Sequence, residues 1–274
     1  MPPIHFSILN TLLAAALLAL SATTHAKSPA TSSTLDLAKD TVTQVSSYNA
    51  LLAGLFDGVI SYDKLKPFGN FGLGTFDRLN GEMVMLDGVL YQIDFDGKVR
   101  VMPDESMTPY ATLTNFEADQ EVEIPKGLSY DEVSALIESQ LPNPNLFYAI
   151  RIEGEFEPIK CRSVQKQEKP NVTIAEIVAG QSIFEAERVK GTLVGFHYPK
   201  YASAFNPPGF HLHFLSDDRQ FGGHALGFTT GSGVVAKIDR CNKLVVDIPD
   251  TQAARKADLS LDRSAEVNTV NRSK

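Results

Sequence analysis

Three histidines, His211, His213 and His224, fall within a span of fourteen residues. In the run Phe210-His211-Leu212-His213-Phe214-Leu215 one residue separates two imidazoles, and on a β-strand that spacing sends both to the same face. His224 comes eleven residues after His213, behind Gly222-Gly223. That is enough chain for a turn and a return strand that brings a third ring nitrogen to the same point. Three neutral imidazoles suit Zn²⁺ and leave at least one coordination position open, as catalytic rather than structural zinc sites do. Ordinary histidines, hydrogen-bonded in a polar cleft, are the alternative, because the His-x-His spacing is only moderately specific. The pair with Asp217 and Asp218 behind it also fits the first half of a cupin metal motif, but a cupin adds a histidine well downstream and none follows His224.

A chain of 274 residues, 43% hydrophobic and 21% charged, can bury one large core or two modest ones. Its 25 basic and 33 acidic residues give a net charge of -8 with no Lys/Arg-rich run, which argues against nucleic acid and anionic lipid as partners and for a small molecule. Residues 1–26 read as a secretory signal peptide: the apolar run Leu12 to Leu20 leads to Thr24-His25-Ala26, with cleavage expected after Ala26. The run is well short of the roughly 20 apolar residues that span a bilayer, so the mature chain is expected to be exported, periplasmic or secreted, and free of the membrane. Cys161 and Cys241 could form one disulfide in an oxidising compartment or stand as two buried thiols.

Around the histidines, the elements sort as follows. Residues 27–45, rich in Ser, Thr, Ala and Asp, read as a flexible, solvated lead-in, and a helix is expected over Ser46 to Leu55. Gly69 to Gly74 lacks the spacing of a dinucleotide or phosphate loop and reads as a bending loop. From Thr75 to Val101 short β-rich runs are separated by Asn80-Gly81, Asp87-Gly88 and Asp96-Gly97, a β-meander with hairpin turns. Ser129 with Glu132 predicts a capped helix to Leu141. Strands are expected over 146–155 and 160–164, a helix over Ile174 to Ala186, then five strands between 191 and 248 and a polar tail over 251–274. The order suggests an α+β protein of two sheet-containing domains with mixed sheets, 46–165 and 166–250, the metal site lying in the C-terminal half near the interface of the two.

Several segments together resemble the acetolactate decarboxylase family. They are Gly74-Thr75-Phe76-Asp77 with Leu79-Asn80-Gly81-Glu82-Met83 and Leu86-Asp87-Gly88, then Arg162-Ser163-Val164, then Gly209 to Arg219 with Gly222-Gly223-His224. The resemblance runs from about Leu51 to Ile248. It implies a two-domain α/β protein, often a homodimer, that holds Zn²⁺ on the residues matching His211, His213 and His224 and converts 2-acetolactate to acetoin and CO₂. Glu82 and Arg162 match the family's site carboxylate and guanidinium, and Thr75 matches a residue lining the pocket. The family tends to carry a Val-Glu pair near its C-terminus; here Val270-Asn271 stands in that place and Glu266 is the nearest carboxylate. In such a reaction the electrons freed with CO₂ flow onto the neighbouring ketone oxygen as an enediolate, whose charge the metal stabilises. Phe205, Phe210, Phe214 and Phe221 are candidates for an apolar wall or, more simply, for core. Two other functions compete: a cupin-like metal oxygenase or isomerase, and an exported metal- or ligand-binding protein without catalysis.

Overall fold

The computed structural model describes residues 39–169, 172–263 and 266, which belong to one compact unit. The expected signal peptide, residues 27–38 of the lead-in and Val270-Asn271 lie outside them. In chain order the first elements are β1 (Thr41–Val45), α1 (Tyr48–Leu52), β2 (Ile60–Ser61), α2 (Tyr62–Leu65), β3 (Phe71–Thr75), β4 (Glu82–Leu86), β5 (Val89–Ile93), β6 (Val99–Val101), β7 (Met107–Thr108) and β8 (Ala111–Thr114). There follow β9 (Gln120–Ile124), α3 (Tyr130–Gln140), β10 (Phe147–Ser163), α4 (Ile174–Ala179), β11 (Ser182–Ala186), β12 (Val189–Tyr198), β13 (Gly209–Ser216), β14 (Gly222–Thr230), β15 (Val234–Cys241) and β16 (Lys243–Asp247).

Two seven-stranded sheets carry the fold. The first runs β16-β1-β8-β3-β4-β5-β6, and the second β12-β13-β14-β10-β15-β9 with β11 alongside β10; β2 and β7 form a separate pair. A parallel pairing of β1 with β16 makes the first sheet mixed. The second is antiparallel in all its pairings. Because β12 pairs with both β13 and β10, the strands β12, β13, β14 and β10 close a circuit of hydrogen-bonded neighbours. Leu73, Val84 and Ile93 of the first sheet share a buried cluster with Ala149, Val194, Phe196 and Leu215 of the second. Each of the larger of these side chains contributes about 1.5–3 kcal/mol on leaving water, so the layer holds side chains on opposed sheets at fixed spacing.

The meander is present as β3-β4-β5-β6, and the turn between β4 and β5 is the two-residue type its sequence indicated, with Asp87 at φ 52 and Gly88 at φ 77. In the next turn the Asp94 carboxylate accepts backbone N–H bonds from Asp96 and Lys98 at 3.0 and 2.9 Å, as a hairpin turn requires. Helix α3 carries the expected capping box of Ser129 and Glu132.

Elsewhere the chain departs from its sequence reading. Thr41–Val45, assigned to the solvated lead-in, is a strand buried at every position. Its buried glutamine is satisfied internally: Gln44 Nε2 donates to the carbonyls of Ser46 and Phe205 at 2.9 and 3.0 Å, which offsets the cost of burying it. Gly72 and Gly74 lie in β3, not in a bending loop; a Cβ on Gly74 would stand 2.4 Å from the Tyr110 carbonyl oxygen, so the glycine permits close strand approach. The helix expected over 174–186 stops at Ala179 with Gly180 as its cap, and residues 182–186 pair with β10 instead. The two strands expected over 146–164 are one, β10, whose register with β14 shifts between Phe156 and Ile159, around Pro158. Nor do the strands sort at residue 165: β9 and β10 belong to the second sheet and β16 returns to the first. Cys161 and Cys241 are free thiols in different buried clusters.

Candidate metal centre

Antiparallel register builds the centre. His213 faces His224 across β13 and β14, and His224 faces Arg162 across β14 and β10. Directly opposed residues share a sheet face, so Arg162, His224 and His213 make a row across three strands, with His211 two residues back on β13. The imidazole centroids stand 5.0, 5.2 and 5.3 Å apart, and one ligand nitrogen from each ring lies within 4.8 Å of the others. Gly223 makes the close spacing possible: it sits at φ +133, and a Cβ there would lie 2.4 Å from the Arg162 carbonyl oxygen.

The donor set has the form that a metal requires. His211 Nδ1 and His213 Nε2 are buried without a hydrogen-bond partner among the described residues. An orphaned buried polar atom costs about 1–3 kcal/mol, a cost that coordination to an ion would remove. His213 Nδ1 lies 2.8 Å from the Met83 carbonyl oxygen, which can only accept. The ring therefore carries its proton on Nδ1 and turns the Nε2 lone pair inward, the way ligating imidazoles are usually oriented. Burial drives the His213 pKa down to about 4, with the Met83 bond opposing and Arg162 assisting. Burial, then His213 and Arg162, holds His211 well below the ordinary histidine range. Both rings are thus neutral at physiological pH, the state in which imidazole binds metal.

The first sheet supplies the facing side. Glu82 opens β4 opposite Thr75 on β3, and its Oε2 lies 3.5 Å from His213 Nε2. Burial raises the Glu82 pKa to about 7, with the Arg162 charge pulling the other way. Thr75 Oγ1 donates to the Gly81 carbonyl at 2.7 Å, bracing the residue just before Glu82. These six side chains, Thr75, Glu82, Arg162 and the three histidines, meet at the polar end of one cleft of about 510 Å³ open to solvent. The apolar end is formed by Leu51, Leu79, Val164, Ile174, Ile177 and Val178.

Glu266 is not brought there: its carboxylate takes a hydrogen bond from Arg263 at 3.0 Å, and it is not among the residues lining the cleft. The four phenylalanines are absent from the wall as well; Phe214 lies in the core of the second sheet, with Phe210 and Phe221 packed against it. Sequence reasoning missed Tyr48 and Tyr110, which also line the cleft. Tyr110 is held there by a buried chain in which its hydroxyl donates to Asn206 and the Asn206 amide donates to Gln44. No local pattern marks either tyrosine. Val164, two residues beyond Arg162 on the same face, could have been found from strand period.

Residues 42–261 match the family model for alpha-acetolactate decarboxylase. The chain belongs to the alpha-acetolactate decarboxylase family. It is 42% identical over 233 residues to the alpha-acetolactate decarboxylase of Methanosarcina mazei, covering 85% of this chain and 81% of that protein. The Brevibacillus brevis alpha-acetolactate decarboxylase is 36% identical over 230 residues, covering 84% of this chain and 80% of that one. The crystal structure of the Bacillus subtilis strain 168 alpha-acetolactate decarboxylase superposes with a TM-score of 0.82 at 34% identity, over 84% of this chain and 99% of that one. As a family member the chain is an enzyme, a decarboxylase of the lyase class.

Proposed function

We propose that the enzyme converts 2-acetolactate to acetoin and CO₂ with one Zn²⁺ held by His211, His213 and His224. The observation that carries this reading is the convergence of three buried imidazoles, one ring nitrogen from each within 4.8 Å of the others, beside a buried guanidinium and a buried carboxyl. When bound, the ion supplies Lewis-acid polarisation to the substrate's oxygens.

The chain's own residues account for the rest. Arg162 presents N–H donors to the substrate carboxylate and fixes the bond to be broken within the cleft; an arginine keeps its proton, so its part is orientation and charge. Loss of CO₂ leaves the bonding pair on C2, delocalised toward the neighbouring ketone oxygen as an enediolate. A proton must then reach that carbon to give acetoin. Glu82, in the cleft 3.5 Å from His213 Nε2, would hydrogen-bond the substrate hydroxyl and hold or hand on a proton, directly or through water. The apolar end of the cleft receives the substrate's methyl groups and keeps water sparse around the charged ones.

Under this reading, purified protein contains about one zinc per chain, a chelator abolishes CO₂ release from 2-acetolactate, and added zinc restores it. Full activity in metal-free protein would defeat the proposal. Oxygen consumption instead of CO₂ release would favour the cupin-like alternative. Export and homodimer formation belong to the same reading: secreted protein should begin at Lys27, and sedimentation should give twice the chain mass.

A further inference from the structure

The guanidinium at one end of the row is held by a side chain that carries no charge. Arg162 is 4% exposed, its Nη1 donates to Gln181 Oε1 at 3.2 Å, and its Nε is buried without a partner among the described residues. A buried cation ordinarily meets a carboxylate. Here the hydrogen bond among the described residues is to a neutral amide, which orients the guanidinium without adding an ion pair of its own; Glu82 lines the same cleft as a separate carboxyl. Gln181 is itself fixed from both sides. Its backbone N–H donates to the Val178 carbonyl at 3.1 Å, at the end of a helix whose start is set by the Thr173–Glu176 capping box. The following residues enter β11, where Ser182 pairs with Ser163 and Ile183 with Arg162. The short helix and the edge strand thus place one amide beside one guanidinium.

We propose that Gln181 is a positioning residue that aims Arg162 at the carboxylate of an incoming 2-hydroxy acid and, being neutral, leaves the guanidinium's charge for that carboxylate. The identity of the natural anion rests on the decarboxylase reading; the positioning role does not. A glutamate of the same shape would keep the contact and neutralise the charge, whereas a methionine would fill the space and lose the hydrogen bond.

The experiment is calorimetric titration of the zinc-loaded protein with lactate, a 2-hydroxy carboxylate, and separately with acetoin, which is neutral. Gln181→Glu should weaken lactate binding about tenfold, ~1.4 kcal/mol, and leave acetoin binding unchanged. Gln181→Met should weaken lactate less, and in turnover should raise KM for 2-acetolactate more than it lowers kcat. The inference is overturned if both variants bind lactate as the wild type does, if lactate and acetoin weaken by the same factor, or if wild-type protein shows no preference for the anion. Should lactate binding respond as expected while no form of the protein releases CO₂ from 2-acetolactate, the positioning role stands and the functional reading falls.

Discussion

Glu82 and Asp239 are both buried carboxyls, 8% and 2% exposed, and burial raises each to about 7. Their surroundings differ in kind. Around Glu82 stand an imidazole nitrogen 3.5 Å away, a guanidinium whose charge opposes the shift, and a cleft open to solvent. Asp239, on β15, accepts the backbone N–H of Glu117 at 3.1 Å, and the other charges acting on it are acidic: Asp119, Asp40 and Glu117, all of which push its pKa further up. A raised pKa therefore marks burial at both places, and only the convergence of a cation, three clustered imidazoles and space marks a site.

Exchanging each carboxyl for its amide should separate the two regions most widely. Glu82→Gln should lower kcat by about 10²-fold or more, the scale of a lost proton-transfer group, with zinc content by metal analysis unchanged. Asp239→Asn should leave kcat where it is. Equal losses in the two variants would mean that Glu82 acts only through the fold and would erase the distinction. A smaller effect is expected one residue further out. Thr75→Val removes the hydroxyl that braces Gly81 and should cost about 1–3 kcal/mol of unfolding free energy, together with a fall in kcat below that of Glu82→Gln. Lost stability with undiminished kcat would show that this brace does not orient Glu82.

How much of this could be read before the structure depends on the range of the signal. His211 and His213 announce themselves because a strand's period of two puts them on one face, and His224 follows through a hairpin. The Ser129 cap and the Asp87-Gly88 turn are equally local. Glu82 and Arg162 carry no such signal: they reach the centre through pairings between distant segments, β4 against the second sheet through the Met83 carbonyl and β10 against β14. Only the resemblance to a family pointed to them. β1 departs from its sequence reading because its buried Gln44 is satisfied by distant partners that sequence does not display, and β11 because a short apolar run looks the same as helix or edge strand until its partner is known. Gln181 was invisible for the same reason, since its meaning lies in the residue across from it.

The finest separation of the two carboxyls is in the pH dependence of stability. The folded-state pKa of Asp239 lies above its unfolded value of 3.8, so the folded chain holds this proton where the unfolded chain has released it. The proton's stabilising contribution is complete below the unfolded value and is lost as pH rises through about 7. Asp239→Asn mimics the protonated carboxyl at every pH. Its Tm advantage over the wild type should therefore be slight at acidic pH, grow toward neutrality and level off above it. Glu82 titrates in an overlapping window, but it is present in both proteins and cancels from the difference. Repeating the comparison in a Glu82→Gln background should give the same curve, because groups with no shared partner contribute additively. A Tm difference that does not change with pH would show that Asp239 is ionised throughout, and one that changes only when Glu82 is present would show that the two regions are coupled.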